Sequence, residues 1–222
     1  MSAEHNLGFQ LSNGTRIVHG EGSITKTAFP AETNIPGQLQ IFNLGHSKDI
    51  NMPTMNGTFG CLPFDINTRM PRHVHMTMAT DAKSRRYVVE NILVLNGVAI
   101  VELGGEIYVI PPKTLVSIGS GVPHTWTACP PGLDLQKLGL SPDEQIVSDG
   151  QFLAVFQYEE PTIFLPTKQT RRLMDEKDYE GCDDLHSIRI PKYEIDDLIM
   201  NAWFVWGKRA RKANDIRSLE FE

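Results

Sequence analysis

The spacing of three short segments constrains this chain more than its composition does. His73-Val-His75 stands near the middle; Glu90 follows at the head of Glu-Asn-Ile-Leu-Val-Leu-Asn-Gly97; Gly119-Ser-Gly-Val-Pro-His124 comes last. Side chains on a strand alternate between faces, so His73 and His75 point one way and Val74 the other. At a rise of ~3.3 Å per residue the two imidazoles start about 7 Å apart, close enough to converge on one ion. A third histidine from a distant strand and a carboxylate would complete a mixed nitrogen and oxygen donor set, which suits iron, manganese, nickel or zinc. The other histidines have no such setting: His19 and His46 read as polar residues of turns or strands.

The arrangement resembles the cupin family, whose pattern has two parts. The first, His-x-His and then Glu with Gly after six further residues, is matched by His73, His75, Glu90 and Gly97. The second, a Gly- and Pro-rich turn leading to His, is matched by Gly119 to His124. Between them Val98 to Ile110 has the two-hairpin rhythm of such barrels. One feature departs from the pattern: 14 residues, Met76 to Val89, separate His75 from Glu90, where the family usually has only a few. Either this is an insertion and Glu90 is still a ligand, or Glu90 has left a site of three histidines. The preserved spacing from Glu90 to Gly97 favours the insertion. The resemblance covers residues 58–128 closely and a weaker closing strand to about 165.

It implies an all-β fold, a single cupin-like barrel or double-sheet jelly roll. Residues 1–57 would be N-terminal strands and turns packed on the barrel, 58–165 the barrel core, and 166–222 a connector and C-terminal helix. It also implies one divalent transition metal held by His73, His75, Glu90 and His124, with Fe(II) favoured and Mn, Ni, Cu or Zn as alternatives. The leading expectation is a dioxygenase that uses O2 on a small enolic or phenolic substrate of secondary or aromatic metabolism. An isomerase, cyclase or lyase using the metal as a Lewis acid stays open, as does a non-catalytic small-molecule binder. If Glu90 is not a tight ligand, it becomes the natural general base.

Around these residues the pattern is that of strands. Gln10 to Ser12 and Arg16 to His19 flank an Asn13-Gly14 turn, a hairpin signal. Leu39 to Phe42 and Thr58 to Asp65 follow, then Val88 to Leu95, Val98 to Leu103 and the apolar run Gln151 to Tyr158, read as the strand that closes the barrel. Counted from Glu90, Ile92 and Val94 share its face as apolar walls. Counted from His124, Trp126 does so too, either as a flat wall for an aromatic substrate or as core. Arg69 and Arg72 precede the histidines and are candidates to meet a substrate's oxygens, or else solvated turn residues. The Met76 to Val89 loop is a lid, a wall or the start of the next strand, with Tyr87 outward.

Composition removes several classes. Among 222 residues, 27 Asp and Glu against 21 Lys and Arg give a net charge of −6, the wrong sign for a nucleic-acid partner. No apolar run approaches the ~18 residues of a membrane span. The N-terminus shows no secretory signal, and three spaced cysteines read as reduced thiols, so a cytoplasmic location is expected. Toward the C-terminus, Ser141-Pro-Asp-Glu144 has capping-box spacing for a short helix, and Thr167 to Asp184 reads as a solvated connector. Ile195, Leu198, Ile199, Ala202, Trp203 and Trp206 fall on one helical arc, predicting a helix over roughly 192–209 before the basic run Lys208 to Lys212. Met200 and Phe204 fall outside that arc, which suggests a homodimer or a lid contact; the alternative is that the helix ends early and Phe204 folds back onto its own barrel.

Overall fold

The computed structural model describes residues 9–10, 16–17, 24–27, 31–35, 37–43, 58–78, 85–141, 144–158, 160–206 and 209–217. The Asn13-Gly14 turn, His19, His46, Asp81, Lys83 and Lys208 lie outside them. In chain order the strands are β1 (Phe9–Gln10), β2 (Arg16–Ile17), β3 (Ile24–Thr27), β4 (Gln38–Asn43), β5 (Thr58–Asp65), β6 (His73–Thr77), β7 (Glu90–Gly97) and β8 (Ala99–Leu103). Then come β9 (Glu106–Ile110), β10 (Thr114–Ile118), β11 (His124–Ala128), β12 (Gln151–Tyr158), β13 (Thr162–Pro166), the helix α1 (Ile195–Asn201), β14 (Trp203–Trp206), β15 (Arg209–Lys212) and a last turn of helix, α2 (Ala213–Arg217). β1 and β2 pair with each other. The rest form a six-stranded sheet, β10-β7-β12-β5-β4-β3, and a seven-stranded sheet, β13-β6-β11-β8-β9-β14-β15. The architecture is all-β, two sheets packed face to face, as the sequence predicts. No helix among the described residues is long and apolar enough to cross a membrane.

The inner faces follow from alternation. On β7, Glu90, Ile92 and Val94 are buried while Leu93 and Leu95 face out. β5 contributes Leu62 and Phe64, β12 Phe152, Ala154 and Phe156, and β11 Trp126 and Ala128 to one cluster between the sheets. Gly97 ends β7 at a positive φ of 73°, where a Cβ would lie 2.1 Å from the Gln151 carbonyl oxygen. Only glycine lets β12 pass so close.

The seven-stranded sheet is buried on its outer face too. Val98, Ile100 and Val109 meet Leu133, Leu135 and Leu140 of the loop after β11, together with Ile190, Leu198 and Phe204. That second cover explains why β8 is apolar on both faces rather than alternating.

Three expectations are corrected here. The helix predicted over 192–209 stops at Asn201; Ala202 is extended, and Trp203-Phe-Val-Trp206 runs as β14 parallel to β9. A short apolar run suits either period, and β9 offers a free edge to a β-branched and aromatic segment. Phe204 is thereby buried on its own barrel, which removes the two-faced helix from which a dimer or lid was inferred. β12 runs through the middle of its sheet, between β7 and β5, instead of closing an edge. No helix follows Ser141 among the described residues, which leave out 142 and 143; its hydroxyl donates to the Glu144 carbonyl.

The stretch from Thr167 to Asp184 is no solvated connector. Leu173 packs with Val74, Met76 and Tyr87 on the outer side of β6, so Tyr87 points outward yet is covered. Gly121, in the turn before His124, docks this segment: Leu173 N–H donates to its carbonyl at 2.8 Å. A Cβ at Gly121 would sit 2.0 Å from the Leu173 carbonyl oxygen.

Candidate metal centre

Three registers bring the site together. His124 stands opposite His73 across β11 and β6, Phe164 opposite His75 across β13 and β6, and Tyr158 opposite Glu90 across β12 and β7. The seven-stranded sheet thus supplies the histidines and the six-stranded sheet the carboxylate, so the four side chains meet in the space between the sheets. None is more than 5% exposed.

Their donor atoms all lie within 4.8 Å of one another. Glu90 Oε2 is 2.8 Å from His124 Nε2 and 3.5 Å from His75 Nε2. Donors on opposite sides of one ion, each at ~2.0–2.2 Å from it, stand about 4 Å apart, so a small inward shift encloses an ion. His73 Nδ1 lies 2.8 Å from the Pro71 carbonyl oxygen and His124 Nδ1 2.9 Å from that of Val122. A carbonyl only accepts, so each Nδ1 carries the proton and each Nε2 turns a lone pair inward. His75 has no such support among the described residues: its Nδ1 is buried without a hydrogen-bond partner, while its Nε2, His124 Nε2 and Glu90 Oε2 have only one another. Leaving a buried polar atom unpaired costs ~1–3 kcal/mol. Several such atoms converging on one point fit a cation.

The electrostatics agree. Burial first, then the neighbouring His124 and His75, holds His73 well below the ordinary histidine range, so its imidazole is neutral at neutral pH. Burial alone would raise Glu90, but His75 and His124 outweigh it and hold the carboxyl well below its usual range, as a carboxylate. Burial, and then the Glu90 charge, push the Tyr158 phenol well above its ordinary value.

Glu90 therefore sits with the histidines despite the long Met76 to Val89 segment. Residues 79–84 of that segment lie outside the described residues; its last part runs along β6, with Thr77 N–H bonded to the Arg86 carbonyl and Val88 N–H to that of His75. Arg69 and Arg72 are placed elsewhere. Arg72 grips Glu102 with two hydrogen bonds of 2.6 and 2.9 Å on the outer side of β8, and Arg69 reaches the Ile190 carbonyl at 3.4 Å. Trp126 lies deeper in the barrel, its ring 6.2 Å from that of Phe152, with its indole nitrogen unpartnered. Two residues of the site were not anticipated. Phe164 stacks on His73, with centroids 4.1 Å apart at 25°, and the Tyr158 ring lies 4.7 Å from that of His75. Alternation along β12 gave the signal for Tyr158, which shares a face with Phe152 and Phe156.

No family model and no curated protein matches the sequence. Among solved structures, the chain is similar to KdgF from Halomonas sp., at 14% identity over 62% of this chain and 90% of that one, with a TM-score of 0.31. It is similar to the polyketide cyclase RemF from Streptomyces resistomycificus at 16% identity over 81% and 96%, TM-score 0.37. A cupin-2 domain protein, Rru_A2000 from Rhodospirillum rubrum, is similar at 14% identity over 69% and 82%, TM-score 0.34.

Proposed function

We propose that this cupin-like barrel is a metal-dependent enzyme. It would bind one divalent transition metal through Nε2 of His73, His75 and His124 and Oε2 of Glu90. The observation that carries the proposal is the convergence of four buried side chains, with His75 Nε2, His124 Nε2 and Glu90 Oε2 lacking any partner but one another among the described residues. Three neutral imidazoles and one carboxylate leave a divalent ion with a net charge of about +1, suited to an anionic oxygen ligand. Fe(II) is the favoured ion, and the proposed reaction is a dioxygenation, in which both atoms of O2 enter the product as a carbon–carbon bond is cleaved.

When bound, the metal would acidify an enol or phenol hydroxyl and pass electrons toward O2. The chain's own residues do the rest. His73 and His124 are oriented by backbone carbonyls, and Glu90 either neutralises charge as a ligand or takes the substrate's proton as a base. Ile92, Val94 and Trp126 fill the barrel beneath the site and keep water from it. Arg72, the residue before His73, is paired with Glu102 on the outer side of β8.

The test is a screen of enols and phenols in an oxygen electrode, using protein loaded with Fe(II). O2 uptake in step with product is expected. Equal turnover in air and under argon would move the assignment to a Lewis-acid isomerase, cyclase or lyase.

A further inference from the structure

The three imidazoles are not held alike. His73 and His124 each donate Nδ1–H to a carbonyl two residues earlier, of Pro71 and Val122. Among the described residues His75 Nδ1 has no hydrogen-bond partner, and its Nε2 faces only Glu90 Oε2, at 3.5 Å. A metal-ligating histidine is ordinarily oriented through its second nitrogen, so something else must fix this ring.

The rings around it divide the work unequally. Phe164 lies flat on His73, 4.1 Å between centroids, and is 6.2 Å from His75 at a steep 72°. Tyr158 is the aromatic neighbour that packs on His75 itself, at 4.7 Å and 52°. It comes from the opposite sheet, directly across from Glu90 on the adjoining strand. The strand beyond it is braced, since Phe156 lies 5.3 Å from Tyr158 and is itself buried in the barrel. A half-buried tyrosine so placed touches one donor and stands beside a second.

We propose that Tyr158 is a positioning residue, whose ring holds His75, the one imidazole that no carbonyl orients, in register with Glu90. The inference rests on the metal-site reading above. It makes His75 the arm of the site set by side-chain packing, and His73 and His124 the arms set by backbone. Loss of the Tyr158 ring should therefore loosen one ligand while leaving the other two in place.

Co(II) tests this without turnover, because its visible absorption reports both affinity and the number of nitrogen donors. Metal-free wild type, Tyr158→Leu, Tyr158→Val, Tyr158→Phe, Phe164→Leu and His75→Ala would be titrated with Co(II), with folding checked by circular dichroism. Both aliphatic replacements should weaken Co(II) binding by about 10–100-fold, as removal of a ligand-orienting group does. At saturation their spectrum should match that of His75→Ala. Tyr158→Phe keeps the ring and should recover most of the affinity. Phe164→Leu, next to an imidazole already held by Pro71, should lose less than either aliphatic variant of Tyr158. Wild-type affinity and spectrum in folded Tyr158→Leu or Tyr158→Val would overturn the proposal, as would an equal loss in Phe164→Leu. Absence of Co(II) binding by wild type would instead overturn the metal-site reading itself.

Discussion

The two ends of the barrel interior are built from the same strands and hold opposite contents. β7 begins at Glu90 and continues to Val94; β11 begins at His124 and continues to Ala128; β12 runs from Phe152 to Tyr158. At the head of β7 and β11 the inward positions are a carboxylate and an imidazole, and β6 adds two more imidazoles. At the other end they are Phe64 and Phe152, with rings 5.3 Å apart edge to face, and Trp126 and Ala128. Alternation decides which side chains face inward, and distance along the strand decides whether they form site or core. Stability is therefore concentrated at one end and chemistry at the other.

The largest effect that would sharpen this division lies at the apolar end. Phe152→Ala should cost about 3–5 kcal/mol by denaturant unfolding, against at most about 1–2 kcal/mol for His124→Ala in the metal-free protein, where packing is lost but an unpaired nitrogen is relieved. Equal losses would break the comparison. On the outer cover of the seven-stranded sheet, Leu198→Ala should cost ~2–5 kcal/mol and leave metal binding intact, because Leu198 belongs to the cluster on the far side of β8 and β9.

A smaller effect comes from protons. Folded His73 stays neutral because burial and its neighbours depress its affinity for a proton, whereas the unfolded histidine titrates near ~6.5. Below that pH the unfolded state binds more protons, so metal-free stability should fall with acid, by up to about 1.4 kcal/mol per pH unit. Unfolding curves at stepped pH, compared with His73→Ala, would show a flatter slope in the variant. The smallest effect is at the outer face of the six-stranded sheet. Leu115 is 62% exposed, and Leu115→Thr should change stability within ~0.5 kcal/mol.

The same contrast explains what the sequence made legible. Strands with one buried face, such as β5, β7 and β12, announce themselves by alternation, and the Asn96-Gly97 turn fixes where β7 ends. The four ligand candidates were legible because two motifs, with fixed internal spacing, survive a long intervening segment. The C-terminal region was not legible in the same way. Trp203 to Trp206 satisfies a helical arc as well as a strand, and only the free edge of β9 decides between them. Thr167 to Asp184 reads as polar, yet Leu173 is anchored by Gly121, a contact between positions 52 residues apart. Tyr158 and Phe164 were missed because their role depends on register across strands, which no local pattern records.

The central claim is that His73, His75, Glu90 and His124 hold one transition metal at the polar end of the barrel. The most direct measurement is elemental analysis of protein purified without a histidine tag, for wild type, His75→Ala and His124→Ala side by side. The account predicts close to one metal per chain in wild type and a heavy loss in both variants, each with an unchanged far-ultraviolet spectrum. Near-stoichiometric metal in both folded variants would contradict it.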